Sequence, residues 1–144
     1  KSCDVLEIAK EMMLGEVAFK SGNKTEGLNH LRQAVELDDN LNYEEPWSWP
    51  QPTRHALGAL LLEVGNYEEA EVVYKADLGN DGKLPRPSQH PKNVCALHGL
   101  HQCLKRRNDK IELPHVAFLL QQAEARSDIK INASCLCRSK SSYA

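Results

Sequence analysis

Residues 57–78 read LGALLLEVGNYEEAEVVYKADL, and this stretch decides the fold. On both sides of Gly65-Asn66 the apolar residues fall at helical spacing and do not alternate as they would along a strand. Gly65-Asn66 interrupts the pattern and Gly79-Asn80-Asp81-Gly82 ends it, so the spacing predicts a helix over 51–64, a tight turn, and a helix over 67–78.

The same arrangement occurs upstream. Leu14-Gly15, Phe19 and Gly22-Asn23 repeat the spacing of Leu57-Gly58, Leu62 and Gly65-Asn66. Gly27 follows Gly15 at the distance at which Ala70 follows Gly58, which aligns Leu31 with Tyr74 and Ala34 with Asp77. In a third, weaker unit Gly99 takes the Gly15/Gly58 place. Small residues there let two helices approach, and a large residue one turn later fills the space beside them. The expected fold is all-α: hairpins over about 4–38, 51–79 and 92–126 inside a domain spanning 1–130, followed by a tail over 131–144. Its six helices run over 4–20, 25–37, 51–64, 67–78, 92–106 and 114–126.

Composition agrees with a self-sufficient globular domain. The chain has 144 residues, 41% hydrophobic and 26% charged, with a formal net charge of −2. That balance gives no basic bias for nucleic acid as the main partner, and no apolar run is long enough for membrane insertion. The start, KSCDVLEIAKEMM, has neither an initiator Met nor a signal-peptide core, which implies a processed product or a piece of a larger protein. Five cysteines is an odd number, and the default expectation is reduced thiols, leaning towards an intracellular location.

The units LGEVAFKSGNKTEGLNHLRQAVELDDN and LGALLLEVGNYEEAEVVYKADL resemble the tetratricopeptide repeat, with NVCALHGLHQCLKRRN as a degenerate third first helix. The longer stretch NYEEPWSWPQPTRHALGALLLEVGNYEEAEVVYKADL resembles a subgroup with a Pro/Trp-rich insert before a repeat. The resemblance covers about residues 8–126 and implies a right-handed α-solenoid acting as a protein–protein interaction scaffold. Departures from the family pattern are the missing first-helix Trp (Glu11, Arg54 and Cys95 stand there) and Asp39 in place of a closing Pro. Repeat spacing also exceeds the 34-residue family period, so Asp38–Pro50 and Gly79–Pro91 must loop out.

In the family a concave groove is lined by the first helix of each hairpin. Carried over, that groove comprises Met12, Glu16, Phe19 and Lys20, then His55, Ala59, Leu62 and Glu63, then Ala96, Leu100, Cys103 and Leu104. The resemblance therefore implies a protein or peptide partner at Met12, Phe19, His55, Leu62 and Glu63. The Lys/Asn/Arg clamp for a C-terminal carboxylate is absent, and the chain's own tail is a candidate to fill part of the groove.

Outside the repeats, EEPWSWPQP (Glu44–Pro52) holds both tryptophans of the chain. Two roles stand open for Trp47 and Trp49. They are anchors in a partner interface, or they fold back over the mouth of the first two hairpins with their indole N–H groups bonded locally. CALHGLHQC offers soft ligands, and Cys95 with His98 (i, i+3) plus Cys135 and Cys137 from the tail is the alternative metal-handling reading. The competing reading makes Cys95 and Cys103 small core residues. Lys105-Arg106-Arg107, Glu68-Glu69 and Glu71 read as solvated faces. No Walker, GxSxG, HExxH or GxGxxG pattern is present. The expectation is therefore no catalytic residue, no cofactor and no enzyme activity within these residues, with an accessory domain of a larger enzyme as a further alternative.

Overall fold

Six helices account for nearly all the regular structure in the computed structural model, which describes residues 2–135 and 138. They are α1 (Ser2–Lys20), α2 (Lys24–Asp39), α3 (Thr53–Val64), α4 (Tyr67–Asp77), α5 (Val94–Arg107) and α6 (Leu113–Glu124), with a 3-10 turn at Arg86–Ser88. Among the described residues there is no strand. Each helix lies within two residues of its expected bounds, because the local signals that start and stop helices are strong here. Gly65 ends α3 at φ +82°, a left-handed conformation that costs glycine little. Asn66 then opens α4, its side chain accepting from Glu69 N and donating to the Glu69 carboxylate at 2.7 Å. Asn93 opens α5 by accepting from Cys95 N and Ala96 N at 2.9 and 3.2 Å.

Consecutive helices pack as pairs, α1 on α2, α3 on α4 and α5 on α6. The pairs join through α2 on α3, α4 on α5 and α3 on α5. The expected small-into-large packing sets these approaches. A Cβ on Gly15 would lie 2.8 Å from Leu31 Cγ, and one on Gly27 would lie 2.7 Å from Gly15 O, so α1 and α2 meet almost backbone to backbone. In the second pair a Cβ on Gly58 would lie 2.4 Å from Tyr74 Cζ, the role that the alignment with Leu31 predicts. Gly99 meets the same ring, at 2.1 Å. Tyr74, fully buried, is thus flanked by the glycines of α3 and α5. Around it Leu60, Leu61, Leu97, Leu100 and Leu104 form a continuous core. Burying each such side chain contributes about 1.5–3 kcal/mol.

Ion pairs tie neighbouring helices along the outside. Arg32 of α2 forks onto Glu69 of α4 at 2.7 and 2.8 Å, and Arg107 of α5 pairs with Glu71 of α4. Lys75 bridges Glu71 and Glu112. The acidic run 68–71 is therefore more than a solvated face. Helical spacing turns Glu69 and Glu71 towards cations on the adjoining helices, where each partly exposed pair is worth about 0–1 kcal/mol.

Candidate functional site

The insert between α2 and α3 folds back onto the helices. Trp49 is half-buried against the core and its indole N–H donates to Met12 Sδ at 3.1 Å. Trp47 stays 46% exposed. Its indole N–H donates to Pro87 O at 3.3 Å, and its ring meets His90 edge-on at 4.4 Å. Both indole N–H groups are bonded within the chain, as the folded-back role expects; Trp49 closes over α1, whereas Trp47 leaves much of its surface in solvent.

Beneath the insert lies a polar cluster that no motif announces. Asp77, 2% exposed at the end of α4, accepts from His55 Nε2 and from His90 Nδ1, both at 2.9 Å. His90 N also donates to the Asp77 carbonyl at 2.7 Å. Burial acts to raise the Asp77 carboxyl, but the two imidazole bonds outweigh it and hold the group below the usual carboxylate range. One carboxylate thereby fixes α3, α4 and the 79–93 connection together. The visible signal was an acid, Asp77, where the first unit has the core residue Ala34. His90 carried none, lying in a loop whose return path is tertiary. Next to this cluster Thr53 Oγ1 donates to Asp38 Oδ2 at 2.9 Å, and Arg54 forks onto Asp39 at 2.6 Å on both arms. Burial raises Asp38, the Thr53 bonds opposing it only in part.

Of the five residues expected to contact a partner in the groove, three are buried. Met12, Phe19 and His55 are each at most 5% exposed, Leu62 is half-buried and Glu63 is exposed. Met12 lies under Trp49, His55 meets Asp77 and His90, and Phe19 and Glu63 meet the chain's own tail. After α6, residues 130–133 run without regular structure to Ser134 and Cys135, both 4% exposed. Ser134 Oγ meets Tyr74 Oη at 2.5 Å, and Gln51 Nε2 donates to Cys135 Sγ at 3.8 Å. Arg138 places its guanidinium 5.3 Å from the Phe19 ring centre, with Nη2 2.7 Å from Glu63 Oε2. That Nη2 has no aligned acceptor, so the contact is a charge pairing and not a directed hydrogen bond. Burial pushes the Tyr74 hydroxyl far up, leaving it a neutral partner for Ser134.

The cysteines divide into two groups. Cys3, Cys95 and Cys103 are free thiols, as expected, whereas Cys135 is disulfide-bonded. Cys135 therefore presents no thiolate to a metal in this state, and Cys137 lies outside the described residues, as does the polar run 139–142. Cys103 is fully buried and burial pushes its thiol up to about 12; Cys95 is raised for the same reason, and burial lowers His98. Such thiols are poor nucleophiles at neutral pH. The described residues contain no group of three or more His, Cys, Asp or Glu placed to hold a metal. None of their helices is long and apolar enough to cross a membrane. The sequence matches no protein-family model, and no curated protein or solved structure matches it.

Proposed function

We propose that the chain is a tetratricopeptide-like interaction module, its three helix pairs stacked as a right-handed solenoid whose concave face takes an extended segment of a partner protein. Trp47 and the Trp-Pro insert supply a second contact. One observation carries this reading: the chain's own segment through Ser134, Cys135 and Arg138 lies across Phe19 of α1, Gln51 before α3, Glu63 of α3 and Tyr74 of α4. A surface that seats an irregular stretch through small buried side chains, one hydroxyl and one arginine is suited to a peptide of like character. In the covered state the tail competes with such a partner, so apparent affinity falls with the fraction of open groove.

Arg138→Ala tests this in the full chain. It removes the cation over Phe19 and the partly exposed pairing with Glu63, together about 1 kcal/mol. A labelled synthetic peptide of residues 128–144 added in trans should then bind Arg138→Ala about fivefold more tightly than the unaltered chain. Fluorescence anisotropy gives both affinities. If neither chain binds the peptide, the covered face is ordinary core and the groove reading fails.

A further inference from the structure

The end of α6 returns beside the start of α5, and the two leave an open cleft of about 380 Å³, within the range of small-molecule sites. Its floor is apolar, made by Val94 of α5 with Leu119 and Ala123 of α6, side chains partly buried against the core. At its exposed rim stand two cations, Lys92 and Arg126, and one carboxylate, Asp128. Neither cation is paired or hydrogen-bonded through its side chain to a described residue. The guanidinium groups of Arg32, Arg54 and Arg107, by contrast, all sit on carboxylates. Lys92 also holds φ at +62°, in the left-handed region that lysine rarely enters. Such backbone conformations persist where the surrounding fold over-determines them, and they concentrate at ligand sites.

Charge decides what the cleft suits. α5 presents its positive end here and α6 its negative end, so the two helix ends offset each other and the side chains set the sign. Two cations against one carboxylate leave the rim positive. The remaining hydroxyl, that of Ser127, is already engaged, donating to Ile129 O at 2.7 Å. An apolar floor under a positive rim complements an amphiphile with a negative head. The aliphatic part leaves water against the floor, and the head group meets an ammonium and a guanidinium, which bind carboxylates through charge-assisted hydrogen bonds. We propose that this cleft binds a small organic acid, a carboxylate on a short aliphatic chain. Arg126 and Lys92 hold the head group, and Val94, Leu119 and Ala123 line the chain. The cleft shares no residue with the tail-covered face or with the insert, so either reading can fail without the other.

Isothermal titration calorimetry of the full chain with hexanoate, at neutral pH and constant ionic strength, should give a saturable isotherm. Hexanamide keeps the chain and loses the charge, whereas acetate keeps the charge and loses most of the chain; each should bind at least about tenfold more weakly. Arg126→Gln should weaken hexanoate binding about fivefold and Lys92→Gln about threefold, and the double variant should not saturate. Asp128→Asn should tighten binding about twofold, because it removes the one carboxylate beside the head group. A merely structural role for these residues would not move affinity in opposite directions. All three side chains are exposed, so each variant should keep the parent's circular dichroism and Tm. Inorganic phosphate tests the floor: if it binds as tightly as hexanoate, the cations attract any anion and the assignment is overturned. Absence of saturation by millimolar hexanoate in the parent, hexanamide binding as tightly as hexanoate, or an unchanged hexanoate affinity in the double variant would overturn it equally.

Discussion

Gly99→Ala should destabilise the protein by about 3 kcal/mol, the upper end of the usual cost of forcing one extra methyl into a packed core. Ordinary overpacking is relieved by small shifts, but here the obstacle is an aromatic ring that cannot give way. The new Cβ would lie 2.1 Å from Tyr74 Cζ and 2.5 Å from both Cε atoms, while Gly58 meets the same ring, with Cζ 2.4 Å from its own Cβ position. The hydroxyl is held as well, against Ser134. For a chain of this size the loss corresponds to about 10 °C in Tm, measurable by differential scanning calorimetry. Pairing the change with Tyr74→Leu tests the cause, since leucine is what the first unit uses at this position, Leu31 against Gly15. The double variant should lose at least about 1 kcal/mol less than the sum of the single losses. Strict additivity, or a Tm for Gly99→Ala within a degree of the parent, would mean that the ring is not clamped.

Asp77→Ala should cost about 3 kcal/mol, because it leaves His55 and His90 without their acceptor inside the fold and each orphaned polar group costs about 1–3 kcal/mol. The loss should exceed that from Asp77→Asn, whose amide still offers one acceptor and one donor. Acid unfolding separates charge from shape. The Asp77 carboxyl is held lower in the folded chain than in the unfolded one. Its contribution is therefore complete above the unfolded value of about 3.9 and is lost as pH falls through the lower folded value. Denaturant titrations of the parent and Asp77→Asn at pH 7 and near pH 3 should show the gap between them narrowing in acid. A gap that widens as pH falls would contradict this assignment. Hydrogen exchange in the 79–93 connection should accelerate in Asp77→Ala, since the His90 side chain loses its carboxylate anchor and only the main-chain bond from His90 N to the carbonyl of residue 77 still ties the connection to the end of α4.

The candidate site was only partly legible. Trp47 and Trp49 were visible as the concentration of aromatics outside the repeats, and a folded-back role was one of the two roles open to them. The division between them was not visible, because it depends on Met12 and Pro87, each about 40 residues away or nearly so. Asp38, Glu44 and His90 passed unnoticed for a similar reason. Each is an ordinary polar residue in a loop or at a helix end, and only the return of the insert and of the 79–93 connection gathers them round one cavity. Phe19 and Glu63 were assigned to a groove through the tetratricopeptide resemblance, with the chain's own tail as a candidate to fill part of it. The structure sets Phe19 under Arg138 and pairs Glu63 with it, an approach that no local pattern encodes.

Helix positions, turns and the small-into-large seam at Gly15, Gly27 and Gly58 were determined by the sequence itself. Those features depend on interactions within a turn or between helices joined by a few residues, and their signals are therefore local. Tertiary structure alone decided that Gly99 faces the Tyr74 ring of the preceding pair, that Ser134 reaches the Tyr74 hydroxyl across 60 positions, and that Asp77 joins two histidines. Choices of that kind are settled by which groups must be buried together and which polar atoms then need partners, and chain spacing does not record either.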